Sequence, residues 1–174
     1  FSVIARYPND LGETPADQAP TRTFVVKTFH SPTMFLQPRR VSVTRNQNFD
    51  VDVRLAAFPT TDAGKVKGVH LVLQLPAGLT YVGFDTLALL KQGASVLGWA
   101  SSAPQTGGTI TLDLTRVGSP PAVPADTGAV ARLRFQAGGS VTTGTIDMVE
   151  WTVRNAANES IPVAAVRGAK IETR

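Results

Sequence analysis

The segment Phe49-Asp-Val-Asp-Val-Arg-Leu55 decides the fold class of this chain. Its odd-numbered residues are apolar and its even-numbered residues are charged, and side chains along an extended strand alternate between the two faces of a sheet. One face of this strand is therefore suited to burial and the other to water. The same alternation recurs, between Gly, Pro, Asn or Asp turn residues, in residues 69–75, 110–115 and 129–135. Short strands repeated in this way predict an all-β chain folded as a two-sheet β-sandwich.

The remaining sequence from residue 34 onward also consists of short apolar segments joined by turns. We predict about nine strands in it, drawn from ten apolar segments at residues 34–37, 41–43, 49–55, 69–75, 79–84, 96–100, 110–115, 128–135, 144–153 and 168–172. Only residues 86–92 suggest a helix, and it would be a single turn that depends on packing. Within residues 144–153 the apolar phase changes between Met148 and Val149, which predicts a β-bulge.

The composition limits the class of protein. With 174 residues, 43% of them hydrophobic, the chain is long enough for one main domain with a full core. Cysteine is absent, so disulfides, thiolate metal sites and a cysteine nucleophile are excluded. No apolar stretch reaches the roughly 20 residues of a bilayer span, and the N-terminus lacks a signal-peptide pattern. The net charge is +4, but the 17 Lys and Arg residues are spread almost evenly, which argues against a nucleic-acid partner.

Residues 1–28 differ from the rest of the chain. A strand that opens at Phe1, a turn at Asn9-Asp-Leu-Gly12 and a return strand at residues 21–26 predict a hairpin. It resembles the last hairpin of a fibronectin type III domain, in which an aromatic-x-Val-x-Ala strand leads into a Gly-Glu-Ser/Thr turn. The segment is then either the tail of such a module or an N-terminal arm packed on the main domain, residues 29–174.

Three landmarks follow one another in the main domain. They are the strand entry at residues 46–55, a strand that opens at Lys67-Gly-Val69 and ends at Pro76-Ala-Gly-Leu79, and the late strands at residues 128–135 and 168–171. In this order they resemble a cohesin-like module, the nine-stranded jelly-roll sandwich that binds dockerin modules in cellulosomes and related surface assemblies. The resemblance covers roughly residues 30–174. The chain differs from the cohesin pattern on the strand at residues 69–75. Many cohesins carry an outward-facing Asn and Asp on that strand, whereas this chain has His70 and Val72.

The resemblance implies a partner-binding sheet made of the strands at residues 69–75, 110–115 and 145–153. Alternation along the first two strands points six side chains away from the core: His70, Val72, Gln74, Thr111, Asp113 and Thr115. This polar surface with an apolar centre is predicted to bind a protein partner, either a helix pair or an extended segment.

Residues that carry catalysis are scarce. Histidine occurs only at positions 30 and 70, and no Gly-x-Ser-x-Gly, His-Glu-x-x-His or phosphate-binding glycine motif is present. We therefore expect no enzyme, no cofactor and no zinc site. Calcium binding stays open at one of two carboxylate pairs, Asp50 with Asp52 or Asp62 with Asp126.

Three functions are compatible with the sequence. The first is a non-catalytic, cohesin-like interaction module that binds a protein partner. The second is a carbohydrate-binding module with an aromatic platform of Trp99, Trp151 and Tyr81, although each lies in an apolar-phased strand where we expect a core role. The third is a structural subunit of a surface layer or filament, in which residues 1–28 pack against a neighbour. We expect an extracellular or cell-surface location in a prokaryote.

Overall fold

The structure, a computed structural model, describes residues 2–6, 21–25, 31–59, 61, 65–92, 94–101, 105–118, 123–124, 127–139 and 143–174. Near the N-terminus, β1 (Ser2–Arg6) and β2 (Thr21–Val25) form a two-stranded antiparallel sheet with Ser2 opposite Val25. This pairing agrees with the hairpin predicted there. The assignment of residues 1–28 to an arm or to a fibronectin type III-like module stays a prediction.

The main domain consists almost entirely of strands. Its elements are β3 (Thr33–Gln37), β4 (Arg40–Val43), β5 (Asn48–Ala56), β6 (Lys65–Thr86), α1 (Ala88–Lys91), β7 (Ser95–Ala100), β8 (Gln105–Val117), β9 (Val123–Pro124), β10 (Thr127–Ala137), β11 (Thr143–Asn155), β12 (Ser160–Ile161), β13 (Ala165–Arg167) and β14 (Ala169–Thr173).

These strands form two layers that share the long strand β6. In one layer, β7, β8, the first half of β6 (residues 65–75) and β11 lie side by side and antiparallel. In the other, the second half of β6 (residues 79–86) is followed by β10, β5, β3 and β13. At one end β14 pairs with β11 on one side and with β4 on the other. The predicted all-β, two-sheet jelly-roll sandwich is confirmed.

The alternation in the sequence explains how the layers meet. Leu71 and Leu73 in β6, like Val51 and Val53 in β5, are fully buried and belong to one apolar cluster between the layers. Full burial of such a side chain contributes roughly 1.5–3 kcal/mol. The residues between them, one apolar and one charged, point outward and are partly exposed, so the chemistry available for function lies on the outer faces.

The strands predicted at residues 69–75 and 79–84 are one continuous strand. β6 bends at residues 76–78 and exchanges β11 for β10 as its partner. Gly78 lies at this bend with φ of 79°, a conformation that favours glycine. Its carbonyl accepts a hydrogen bond from the backbone N–H of Gly138 at 2.7 Å. The Pro-x-Gly sequence signals the bend but not that the strand continues into the second layer.

The number of strands exceeds the prediction. Twelve strands build the main-domain sheet within the described ranges, against about nine expected. β9, β12 and β13 were missed because two or three residues are too few to show alternation. The predicted β-bulge is confirmed by a register shift between Met148 and Glu150, and the predicted helical turn by α1.

A buried arginine secures α1. Arg116, 4% exposed, donates hydrogen bonds to the carbonyl oxygens of Leu90 at 2.9 Å and Gln92 at 3.0 Å. These carbonyls end the helix and have no intrahelical partner. Burial lowers the pKa of Arg116. A four-residue helix is unstable alone, so this contact helps hold α1 against the end of the sandwich.

Candidate functional site

One outer surface of the sandwich collects side chains from distant parts of the sequence. We call the outward-pointing side chains of β7, β8, residues 65–75 of β6 and β11 the four-strand face. It contains all six residues predicted to bind a partner: His70, Val72, Gln74, Thr111, Asp113 and Thr115. Each is at least partly exposed, whereas the intervening Leu71 and Leu112 are buried. The structure brings these residues together, and their role in binding stays a prediction.

A histidine connects three strands at the centre of the four-strand face. His70 lies opposite Asp113 on β8 and Thr152 on β11. Its Nδ1 is 2.7 Å from Oδ1 of Asp113, and its Nε2 is 3.7 Å from Oε1 of Glu150. With Nδ1 protonated, the ring donates a hydrogen bond to the carboxylate oxygen of Asp113, which accepts it. The side chains of His70 and Asp113 are 33% and 48% exposed, so the pair is accessible and already oriented.

Strand β7 adds an apolar wall to the four-strand face. Leu97 and Trp99 point outward and are 64% and 58% exposed. Gly98 between them points inward, since a Cβ built there would lie 2.7 Å from the Phe84 ring. The prediction that Trp99 belongs to the core is therefore wrong. Every residue of the predicted strand at 96–100 is apolar or small, so both phases of the alternation looked equally suited to burial.

The other two aromatic residues do not extend this wall. Tyr81 is 1% exposed and its ring centroid is 6.0 Å from that of Phe135, which confirms its core role. Burial raises the pKa of Tyr81 to about 12. Trp151 lies opposite the buried Leu71 and so faces the inner side of its layer. It is still 37% exposed, so its predicted core role is only partly met. No platform of all three aromatics exists.

A groove of about 640 Å³ crosses the four-strand face between β7 and β11. Gly68 and Thr115 lie next to each other in its floor. A Cβ built at Gly68 would make only ordinary van der Waals contacts, because the atom nearest to it is a backbone oxygen at 3.4 Å. Leu97 and Trp99 line the side formed by β7, and Arg154 lines the side formed by β11. A partner can therefore reach both apolar surface and a cation in one depression.

Charge is unevenly distributed along this groove. Lys67 and Arg154 line one end. The Arg154 guanidinium donates a hydrogen bond to the carbonyl of Asn158 at 2.9 Å, which holds it at the rim. Farther along β11, Glu150 and Asp147 are exposed. They lie opposite Val72 and Gln74 of β6, which also point outward. The sequence prediction missed these residues, although the β-bulge it identified shifts Glu150 and Arg154 onto the outer face.

The outer face of the second layer carries ion pairs. Arg132 donates hydrogen bonds to both carboxylate oxygens of Asp52, at 2.8 and 3.2 Å, and its Nε is 3.9 Å from Asp50. Arg134 lies 3.3 Å from Asp85. The carboxylates predicted as a possible calcium site are thus neighbours of an arginine. Opposite charges across adjacent strands stabilise such a surface modestly.

The part of the chain that the structure describes contains no group of three or more His, Asp or Glu side chains arranged to hold a metal ion. Asp62 and Asp126 lie outside the described residues, and calcium binding stays an untested prediction. In the same ranges, no helix has the length and apolar character that crossing a membrane requires.

Cohesin domains share this architecture. A non-cellulosomal cohesin from the hyperthermophilic archaeon Archaeoglobus fulgidus superimposes with a TM-score of 0.63 at 13% identity, over 83% of this chain and 91% of that one. The sixth cohesin of Acetivibrio cellulolyticus scaffoldin B, solved with the Cel5 dockerin, gives 0.65 at 13% identity over 83% and 99%. The cohesin CaCohA2 of Clostridium acetobutylicum, solved with the dockerin CaDoc0917, gives 0.63 at 18% identity over 83% and 100%.

The sequence itself has little in common with those of these proteins. No family model matches it, and no curated protein matches it. At identities below 20% the likeness concerns the path of the backbone and not the residues of a site. The chain has a cohesin-like fold.

Proposed function

We propose that this chain is a non-catalytic, extracellular or cell-surface interaction module that binds a dockerin-like protein through the four-strand face. The fold supports this proposal, since two of the cohesins described above were solved in complex with dockerins. The surface supports it as well. An exposed apolar patch rimmed by polar groups is typical of a protein interaction site.

The observation that carries the proposal is the apolar wall beside the groove. Leu97 and Trp99 expose more than half of their surfaces on a strand whose other side packs on the core. Placing two large apolar side chains in water gains nothing for folding. Tryptophan is prominent among residues that dominate binding energy when a partner covers them. The His70–Asp113 pair next to the wall offers oriented polar groups, which reduces the entropy lost on binding.

The proposal can be tested with dockerin modules displayed on yeast, including the Cel5 dockerin of Acetivibrio cellulolyticus. The test variant combines His70→Ala with Asp113→Ala. Its matched control combines Arg134→Ala with Asp85→Ala, which removes an exposed charged pair from the opposite outer face. We expect a dockerin that binds the wild-type chain and the control equally and binds the test variant at least about tenfold more weakly. Equal binding to both variants would reject the four-strand face as the binding site. If no dockerin in the panel binds the wild-type chain, a dockerin-like partner is rejected.

Carbohydrate binding is a second candidate that the exposure of Trp99 favours. An exposed indole ring offers a flat apolar surface beside the polar His70–Asp113 pair. Titration with soluble cellulose, xylan and chitin oligosaccharides should then change the tryptophan fluorescence of the wild-type chain saturably, and Trp99→Ala should abolish the change. If none of the three kinds of oligosaccharide changes the fluorescence, carbohydrate binding at Trp99 is excluded.

A further inference from the structure

Strand β7 lies at the edge of its layer. Among the strands that the structure describes, it pairs with β8 alone. The backbone N–H of Ser101 donates a hydrogen bond at 2.9 Å to the carbonyl of Thr111, which lies opposite in the same register. Hydrogen-bonded and non-hydrogen-bonded pairs alternate along antiparallel strands. Val96, Gly98 and Ala100 therefore turn their N–H and C=O groups away from β8, and such a row of groups is a template for another strand.

The edge of β7 lacks the features by which proteins usually prevent strand pairing. Charged residues, proline or a very short strand keep one sheet edge from joining another. The six residues Ser95–Ala100 contain neither a charge nor a proline. At the two ends of the main sheet path, by contrast, β13 has three residues and includes Arg167, and β4 has four residues and begins at Arg40. The edge of β7 is thus open to another strand.

The sequence of β7 is complementary to itself. In an antiparallel pair with a two-fold axis at Gly98, Gly98 faces Gly98 of a second copy, and Val96 faces its Ala100. These pairs satisfy every N–H and C=O group that β7 turns outward. The same register places Leu97 directly opposite Trp99 of the second copy, and the axis repeats this contact. An unrelated strand would satisfy the same backbone groups, but only a second copy matches Leu97 with Trp99 in both directions.

The area of this contact sets its strength. Leu97 and Trp99 are 64% and 58% exposed, which corresponds to roughly 250 Å² in each copy for side chains of about 200 Å². Two copies would cover roughly 500 Å² of these side chains, well below the 1,200–2,000 Å² of a stable interface. The backbone hydrogen bonds add to this contact, but the area fits a dimer that dissociates on dilution.

We infer that β7 pairs with β7 of a second copy around a two-fold axis at Gly98 and forms a weak, closed dimer. The axis is perpendicular to the sheet, so the two four-strand layers join into one layer of eight strands. Both four-strand faces then point to the same side. Two faces on one side raise the effective concentration for a partner that carries two binding modules. The inference goes beyond the proposed function and does not depend on it.

Sedimentation velocity of the full chain measures this association. Between about 10 μM and about 1 mM protein, we expect the average mass to rise from that of one chain toward that of two. The test variant combines Leu97→Lys with Trp99→Lys, which places lysine opposite lysine twice. Its control, Gln74→Lys with Val149→Lys, adds the same charge at exposed positions of β6 and β11. The test variant should stay monomeric at every concentration, and the control should dimerise as the wild type does.

Cysteine cross-linking measures the register independently, because the chain contains no cysteine of its own. In a mixture of Leu97→Cys and Trp99→Cys, the two cysteines lie opposite each other with Cα atoms about 4.5 Å apart, which suits a disulfide. The other Leu97–Trp99 contact of that mixed dimer stays intact. Within either variant alone, the two cysteines are about 8 Å apart, beyond the reach of a disulfide. Oxidation with diamide, followed by mass spectrometry, should therefore give mainly the mixed dimer.

Each outcome decides the inference. A wild-type chain that is monomeric at every concentration would overturn it, as would growth beyond two chains or dimerisation of the lysine variant. Equal cross-linking within and between the two cysteine variants would show random collisions and would overturn the axis at Gly98. A dimer that is lost in the lysine variant and yields the mixed disulfide would support the inference, whether or not any dockerin binds.

Discussion

The same substitution at two glycines of one layer should have different effects on stability. A Cβ at Gly98 would lie 2.7 and 2.8 Å from two ring atoms of Phe84 and 3.0 Å from a methyl group of Leu114. A Cβ at Gly68 would meet no atom closer than 3.4 Å, because it projects into the groove. Gly98→Ala therefore overpacks the core, while Gly68→Ala adds a methyl group that makes only ordinary van der Waals contacts. The pair of variants tests directly which way β7 and β6 present their faces.

The magnitudes follow from these distances. Carbon atoms prefer separations of about 3.5–4.0 Å, so the Phe84 ring must move by about 1 Å to admit the Gly98→Ala methyl. Overpacking of this kind costs about 1–3 kcal/mol, which for a chain of this length lowers Tm by about 2–10 °C. Gly68→Ala should leave Tm unchanged or raise it slightly, because glycine within a strand is about 0.5–1 kcal/mol less favourable than alanine.

Thermal and urea unfolding followed by circular dichroism measure both variants. A third variant, Phe84→Leu, removes the ring atoms that collide, so the double variant Gly98→Ala with Phe84→Leu should be more stable than the sum of the single effects predicts. An equal loss in Gly68→Ala would refute the orientation of β6, and unchanged stability of Gly98→Ala would refute the orientation of β7. Leu97 and Trp99 would then not form the wall of the groove.

Three other predictions need no partner. Arg116→Met should lower the free energy of unfolding in urea by about 2–4 kcal/mol, because two carbonyls at the end of α1 lose a charged donor; a wild-type midpoint would contradict this contact. Trp151→Phe, which leaves Trp99, should show redder emission and stronger acrylamide quenching than Trp99→Phe; equal quenching would contradict the difference in exposure. Lys170 lowers the pKa of Glu172 below 4.5, so the carboxylate stabilises the fold at neutral pH and this stability is lost as pH falls through the lowered pKa. The stability difference between wild type and Glu172→Gln should therefore shrink from pH 7 to pH 3, and a constant difference would exclude the pair.

The outward-pointing residues of β6 and β8 could be predicted because only one phase of the alternation buries the apolar residues of these strands. In residues 69–75, a single phase buries Val69, Leu71 and Leu73, which sends His70 outward. The same holds for Asp113 in residues 110–115. Once the strands are assigned, their alternation settles the face, and the structure agrees at each of the six predicted positions.

The wall and the charges of the groove could not be predicted in the same way. The predicted strand at residues 96–100 contains no polar residue to fix the phase, and the decisive collision involves Phe84, which lies on another strand. Gly68 and Arg154 become neighbours only through the pairing of β6 with β11. Such pairings depend on the whole topology, so local alternation carries no information about the groove.

A partner that binds as proposed must cover the four-strand face. Hydroxyl-radical footprinting, read by mass spectrometry with and without a dockerin selected from the yeast panel, measures side-chain accessibility directly. Leu97, Trp99 and His70 should lose reactivity in the complex, while Val82, which is 43% exposed and lies on β6 beyond the bend, should react as before. Unchanged reactivity of Trp99 together with protection of Val82 would contradict the account.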